Sequence, residues 1–344
     1  MKPLLATAGI RIESWLSEAE ERCLANDVLD GLTRPFKELP PKHFYDARGS
    51  ELFERICELP EYYPTRTERI ILEQRAREIV DDTGASELVE LGSGSADKAR
   101  ILLEAMSSAG TLSRYIPLDV SETAVRDAAN QLVAEFHGLR VHGVIGDFER
   151  HLERVPEPDG APRIVALLGG TIGNFPPGTR RALLRRIGSL LGSEDRLLLG
   201  TDLVKDPTLI EAAYDDRQGV TAEFNRNVLH VLNRELGADF VPEAFDHIAF
   251  YDRRHDWIEM RLRAQRPCSV LIADLGLRVE FAAGEELRTE ISAKFTHPRL
   301  QADFKAAGLE LERWFTDPDG LFALSLGRRR HTRSGLVGAR SAVD

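Results

Sequence analysis

Glu90-Leu91-Gly92-Ser93-Gly94, followed by Asp97, is the densest stretch of potential chemistry in the sequence. The glycines would let the backbone approach a ligand closely. The place where a dinucleotide fingerprint needs its third glycine, however, carries Asp97. A pyrophosphate at that helix start would meet a carboxylate instead of open N–H groups. Glu90 and Asp97 suit a cofactor that is cationic and free of phosphate, and S-adenosylmethionine is such a molecule. More carboxylates follow in series. Asp119 stands where an ionised acid accepts from both ribose hydroxyls. Asp147 could accept from an adenine amino group, with Phe148 beside the base. Taken singly, Asp119 and Asp147 could equally cap turns; their order behind Gly92 and Gly94 points to a cofactor.

Groups so scattered need a scaffold that delivers them to one edge. Apolar runs at 88–91, Arg114–Asp119, Arg140–Ile145, Ile164–Leu168 and Leu197–Leu199 predict five strands, each ending in a polar or glycine-rich loop. Ala99, Leu102, Leu103 and Met106 share one helical face, as do Ala124, Val125, Ala128, Leu132 and Phe136 behind the N-cap candidate Ser121. In a doubly wound sheet, ligands bind at the C-terminal strand ends, where these polar residues fall. The first 65 residues lie outside this rhythm. They are Pro-punctuated and aromatic, with a short helix at Glu51–Cys57, and suit a lid or a flap over the sheet edge. Thr65-Arg66-Thr67-Glu68 has the form of a capping box opening a helix towards Val80.

Beyond Asp202 the pattern becomes helical at Phe224, Val228, Val231 and Leu232, then alternating. Trp257–Ala264 puts Ile258, Met260, Leu262 and Ala264 on one face. Ser269–Ala273 and Leu277–Phe281 predict a hairpin. Leu287–Phe295 sets Leu287, Thr289 and Ile291 against Arg288, Glu290 and Ser292. A last hairpin runs from Leu311 to Leu326 through Asp317-Pro318-Asp319-Gly320. The expected class is α/β: a parallel sheet closed by an antiparallel hairpin, similar to Rossmann-like class I methyltransferases, plus a second α+β substrate-binding domain. Residues 66–203 and 295–330 would form the cofactor domain, 10–65 and 204–294 the substrate domain, and 331–344 a disordered tail.

A chain of 344 residues, 42% hydrophobic and 29% charged, has ample material for a globular core. Its net charge of −11 weighs against a nucleic-acid partner. Arg328–Arg330 with Arg333, the one dense basic cluster, is expected to be solvated tail. Cys23, Cys57 and Cys268 lack paired spacing, the histidines lack metal-ligand spacing, and no apolar run suffices for a membrane span. No metal, a cytoplasmic location and a monomeric state are the expectations.

Five segments resemble one family: Phe44-Tyr45-Asp46, Leu59-Pro60-Glu61-Tyr62-Tyr63-Pro64-Thr65-Arg66, Glu90–Gly94, Gly169-Gly170-Thr171-Ile172-Gly173-Asn174-Phe175 and Glu290-Ile291-Ser292-Ala293-Lys294-Phe295. The family is that of the L-histidine Nα-methyltransferases of ergothioneine biosynthesis, and the likeness spans about Glu18 to Gly327. It implies trimethylation of the histidine α-amine to hercynine. It implies S-adenosylmethionine held by Tyr45, Gly92, Lys98, Asp119, Asp147 and Phe148. Tyr62, Asn174 and Tyr214 would bind the amino acid's carboxylate, with Gly169 near the amine. Glu290 and Ser292 would read the imidazole, with Met260 beside it, and Tyr45 and Asn174 would orient the reacting amine. Other readings of the residues remain: an α-amine methyltransferase for another aromatic amino acid, a nucleic-acid amino-methyltransferase, or a non-catalytic S-adenosylmethionine-binding module.

Overall fold

The computed structural model describes residues 2–7, 9–16 and 18–330. In chain order it contains β1 (Lys2–Thr7), β2 (Ile10–Ser14), α1 (Glu18–Leu32), β3 (Lys37–Glu38), α2 (Ala47–Glu58), α3 (Tyr63–Thr83), β4 (Glu87–Leu91) and α4 (Asp97–Ala109). There follow β5 (Arg114–Asp119), α5 (Glu122–Glu135), β6 (Arg140–Ile145), α6 (Phe148–His151), β7 (Arg163–Leu167), α7 (Pro177–Leu190) and β8 (Arg196–Asp202). The rest comprises α8 (Pro207–Tyr214), α9 (Val220–Leu236), β9 (Phe245–Asp252), β10 (Trp257–Ala264), β11 (Cys268–Ile272), β12 (Leu277–Phe281), β13 (Glu286–Ala293), α10 (His297–Ala306), β14 (Leu309–Thr316) and β15 (Phe322–Arg329).

The strands predicted between 88 and 199 form the centre of a nine-stranded sheet of order β1-β2-β6-β5-β4-β7-β8-β15-β14. Every residue of β4 and β7 is buried, as apolar runs covered on both faces require. Period-two alternation sorts the two sides. Leu88 packs with Ile71 and Leu72 of α3 and Leu102 of α4, while Val89 packs with Leu184 of α7 and Phe304 of α10. The strand order reverses between β4 and β7, so the crevice for a ligand opens there, above the β4–α4 turn. The closing hairpin is β14–β15, antiparallel on β8.

Ile10–Ser14, expected with the substrate-binding segment, instead lies parallel to β6 in the large sheet, with β1 outside it. Only Ile10 and Ile12 alternate as buried apolar positions there, too short a pattern to announce a strand. The helix expected from a capping box at Thr65 begins earlier. Its N-cap is Tyr62, without a side-chain cap, and Pro64 occupies the first turn, where a missing N–H costs nothing. Arg328, read as tail, belongs to β15 and pairs with Glu310 and Glu312 at 3.1 Å each. The expected tail, 331–344, lies outside the described residues.

The second sheet has the order β3-β13-β10-β9 and packs against α9, with Phe224, Val228 and Leu232 meeting Ile258, Met260, Leu262 and Leu287. The end of β13 reaches the large sheet: Phe295 N–H donates to Asp202 O at 2.8 Å, and Leu203 bridges Phe295 in parallel. This join is braced by a buried ion pair. Arg180 of α7 donates to Asp303 of α10 at 2.8 Å, and its guanidinium lies 4.9 Å from the centre of the Phe295 ring. Both partners are essentially inaccessible. Asp303→Ala leaves Arg180 buried and unpaired, and is expected to cost about 3–5 kcal/mol in urea denaturation; a loss below about 1 kcal/mol would show that the pair is dispensable. No helix among the described residues is long and apolar enough to cross a membrane.

Candidate active site

The β4–α4 turn is built on Gly92 and Gly94, with φ of +74° and +49°, values that favour glycine. Asp119 closes it: Oδ2 accepts from Gly94 N–H at 3.0 Å and Oδ1 from Ser121 N–H at 2.9 Å. Asp147 N-caps α6 by accepting from Glu149 N–H at 2.8 Å. Both acids therefore do cap turns. A Cβ on Gly92 would lie 3.7 Å from the Phe148 ring, so turn and aromatic wall line the same space. Below them Glu90 is buried, takes a 2.5 Å hydrogen bond from the Tyr115 hydroxyl, and is pushed by burial up to about 8. A cation bound above would favour its ionised form.

Four site candidates share an instructive property. Tyr45, Lys98, Asp119 and Glu290 sit deep enough for desolvation to be the largest influence on their pKa values, yet none is closed off from solvent. Tyr45 is 40% exposed, and the Lys98 side chain 25%. Tyr45 is influenced by the charges of both Glu290 and Asp119, so the β13 acid and the β5 acid flank one tyrosine. Burial pushes Glu290 up to about 7, although the Lys294 charge opposes the shift.

On β13 the sequence pattern misassigns one face. Met260 pairs with Glu290 but Arg261 with Arg288, leaving Thr289 as the extra residue of a β-bulge. Beyond the bulge the faces exchange. Glu290 and Ser292 therefore share a face with Met260, Ile258 and Leu287 instead of with Arg288. Arg288 turns to the opposite face and its Glu259, 3.5 Å away. The bulge is pinned by Thr289, whose hydroxyl pairs with Asn225 of α9 at 2.6 Å and Met260 O at 3.1 Å. It thus directs the two polar residues into the interior.

The other candidates converge on this face. The turn Thr171–Asn174 presses on β13: a Cβ at Gly173 would stand 2.9 Å from Ala293 O and 3.4 Å from Ser292 Oγ. Asn174 ends this turn, next to Gly173. Tyr62 and Tyr214 meet edge to face at 6.3 Å between ring centres, and Tyr45 packs on Phe53 and Phe224 at 5.6 Å each. Gly169 and Gly170 both take left-handed conformations.

Two residues with no role assigned from the sequence turn out to be central. Glu68, the supposed capping-box acid, is fully buried. Its two oxygens each lie 2.9 Å from Gly169 N, and Lys98 Nζ is 2.6 Å from Oε2. It therefore ties α4 to the loop carrying Asn174. Gly200 leaves room for it, since a Cβ there would fall 2.1 Å from Oε1. Lys294 is the second: fully buried, it contacts Asp202, Ser292 and Tyr214. In the sequence it is an ammonium at the end of an alternating strand, inside the segment Glu290–Phe295 but with no role of its own. Asp202 is shared with the Tyr63 hydroxyl, at 2.9 Å, and with Lys205, which burial pushes down to about 8.

A sheet of this order, with a glycine turn after its first central strand and an acid at the end of the next, is a Rossmann-like class I arrangement. Residues 24–329 match the family described as histidine-specific methyltransferase, SAM-dependent, and the chain belongs to that family. It is 50% identical over 313 residues to a histidine N-alpha-methyltransferase of Mycolicibacterium smegmatis, covering 91% of this chain and 97% of that one. The protein of the same name from Mycobacterium tuberculosis is 47% identical over 312 residues, with the same coverage. Ergothioneine biosynthesis protein 1 of Neurospora crassa is 30% identical over 89% of this chain, which corresponds to 35% of the fungal protein.

Proposed function

We propose that this enzyme transfers methyl groups from S-adenosylmethionine to the α-amino nitrogen of free L-histidine, three times, giving hercynine as the first step of ergothioneine biosynthesis. The observation that carries the reading is the bulge at Thr289, which puts Glu290 and Ser292 on the Met260 face of β13, where the charge of Glu290, like that of Asp119, reaches Tyr45. An ionised carboxyl accepts from an imidazole N–H, and a hydroxyl serves the other nitrogen. In this reading residues 66–203 and 295–330 hold the cofactor, and 15–65 with 204–294 hold the amino acid. The partner is a small molecule, with no nucleic acid or membrane, and the enzyme acts as a cytoplasmic monomer without a metal.

When bound, S-adenosylmethionine supplies a methyl group already activated by its sulfonium. The chain's task is alignment and exclusion of water. Gly92, Lys98, Asp119, Asp147 and Phe148 would hold the cofactor, and Tyr62, Asn174 and Tyr214 the substrate carboxylate, with Gly169 near the amine. Tyr45 and Asn174 would orient the nitrogen, whose proton leaves to water. Neutral donors suit the carboxylate because an unpaired cation would repel the sulfonium and the trimethylammonium product; Lys98 and Lys294 are each held by a carboxylate, Glu68 and Asp202. Aromatic faces attract both the sulfonium and the trimethylammonium.

Mass spectrometry of the protein incubated with S-adenosylmethionine and each standard amino acid separately tests the reading. Histidine should gain up to three methyls and no other amino acid a comparable amount. Methylation of a different amino acid would overturn the substrate assignment. Asn174→Ala is expected to lower turnover about a hundredfold, the effect of misplacing a reacting group, with S-adenosylmethionine affinity unchanged. Undiminished turnover would remove Asn174 from the site.

A further inference from the structure

We propose that Lys294 is a positioning residue that sets the hydrogen-bond polarity of the pocket, so that histidine is taken with its ring as neutral imidazole in a single tautomer. The inference rests on the reading that Glu290 and Ser292 hold that ring.

Lys294 has three N–H donors and no acceptor. All three are placed: Asp202 Oδ2 at 2.8 Å, Ser292 Oγ at 3.0 Å and the Tyr214 hydroxyl at 3.2 Å. The side chain is fully buried, and Asp202 keeps it charged. Both hydroxyl oxygens therefore accept from Lys294. Two hydroxyl protons remain, and at most one of them can lie between the two oxygens. With the Tyr214 proton turned to the substrate carboxylate, the Ser292 proton is the one left for the ring, so this wall of the pocket donates. Glu290, two residues from Ser292 on the same face, accepts when ionised. A ring meeting both needs one N–H and one bare nitrogen.

Neutral imidazole offers that pair. Imidazolium offers two N–H groups, one of which would face a hydroxyl proton backed by the Lys294 charge. Indole has no ring acceptor, and phenyl has neither group. The surrounding charges agree. Lys294 and Lys205 flank the single carboxylate of Asp202. Tyr45, Tyr62, Tyr63 and Tyr214 are all held above their ordinary range, by burial first, and remain neutral donors. His247 lies behind α8, its Nε2 2.8 Å from Tyr214 O and held below its usual range by burial. Of these groups only Glu290 would attract an imidazolium, and it stands beside the donor Ser292 on the same face of β13.

The test compares kcat/KM for L-histidine with that for 1,2,4-triazol-3-yl-alanine, whose ring has the same shape but stays neutral across pH 5.5–7.5. The α-amine and Glu290 titrate alike for both substrates and cancel in the ratio. For the unaltered enzyme the histidine-to-triazole ratio should fall about tenfold from pH 7.5 to 5.5, as the imidazole, with pKa about 6.5, becomes protonated. In Lys294→Met the fall should shrink to less than about threefold. Lys294→Arg, which keeps donors and charge, should retain most of it. A flat ratio in the unaltered enzyme overturns the proposal without needing any variant to fold. So does an identical fall in Lys294→Met. If Glu290→Ala leaves the preference for histidine over phenylalanine unchanged, the underlying reading of the ring site fails. If that preference collapses while the unaltered enzyme's pH ratio is flat, only the role of Lys294 fails.

Discussion

Glu68→Gln should weaken S-adenosylmethionine binding and lower the turnover number about a hundredfold while the protein stays folded. Glutamine has the shape of glutamate, so the space left by Gly200 is still filled. It has one acceptor oxygen where glutamate has two, and its amide nitrogen must face either Gly169 N–H or the Lys98 ammonium, both donors. Breaking a fully buried pair costs about 3–5 kcal/mol; Lys98 keeps a quarter of its side chain exposed, so about 3 kcal/mol is the fitting figure. That corresponds to roughly two powers of ten. The Lys98 pKa, which burial alone would lower, is held up by Glu68 and should drop in the variant. Calorimetric titration with the cofactor and single-turnover kinetics read the two effects separately. Affinity and rate both within threefold of the parent would mean that the link between Lys98 and Gly169 is unimportant. Because Glu68 joins the β4–α4 side to the loop after β7, both effects should appear together.

Glu68 also marks where the sequence stops being legible. Local rules work well where structure is local. The Gly92 and Gly94 turn, the Ser121 cap and the paired runs of β4, β5 and β7 follow from neighbours a few residues apart, and they specify the centre of the large sheet and its β4–α4 turn. The capping-box pattern at Thr65–Glu68 satisfies such a rule too, but a partner 101 residues away claims the acid. The bulge at Thr289 is equally hidden. Period-two alternation continues smoothly through it, and only the register with β10 and the bond to Asn225 show that the faces exchange. Glu290 and Ser292 were identifiable as a pair, but not the side they face. The strand β9 escapes pattern reading because all but its first residue are partly or fully exposed, and α8 because eight residues give barely two turns. The second sheet and its helices are assembled from such contacts, so the candidate residues there rest on motif resemblance and not on periodicity.

The largest effect on substrate choice is expected at Glu290. Glu290→Ala should lower kcat/KM for histidine by at least a hundredfold and that for phenylalanine by less than about threefold. A site built to pair with a ring N–H penalises its loss heavily, whereas an apolar ring gains nothing from the carboxylate. Met260, directly across from Glu290 and buried, is flexible enough to settle into part of the vacated space, which favours apolar rings further. Equal losses for both substrates would remove Glu290 from ring recognition. The same residue sets a pH signature with a definite sign. Burial raises Glu290 to about 7, so near neutrality the empty site is partly protonated. Histidine pairs with the ionised form through its ring N–H, and binding must expel the proton. Affinity should therefore rise as pH increases from 6 to 8. Calorimetry at pH 7 in buffers of different ionisation enthalpy should detect a fraction of a proton released per histidine bound, most of which disappears in Glu290→Gln. Proton uptake on binding would reverse the sign and mean that the carboxyl meets the ring as a donor. The acid that distinguishes histidine from other aromatic amino acids is then also the group that makes its capture depend on pH, because burial strengthens its hydrogen bond and raises its pKa by the same loss of water.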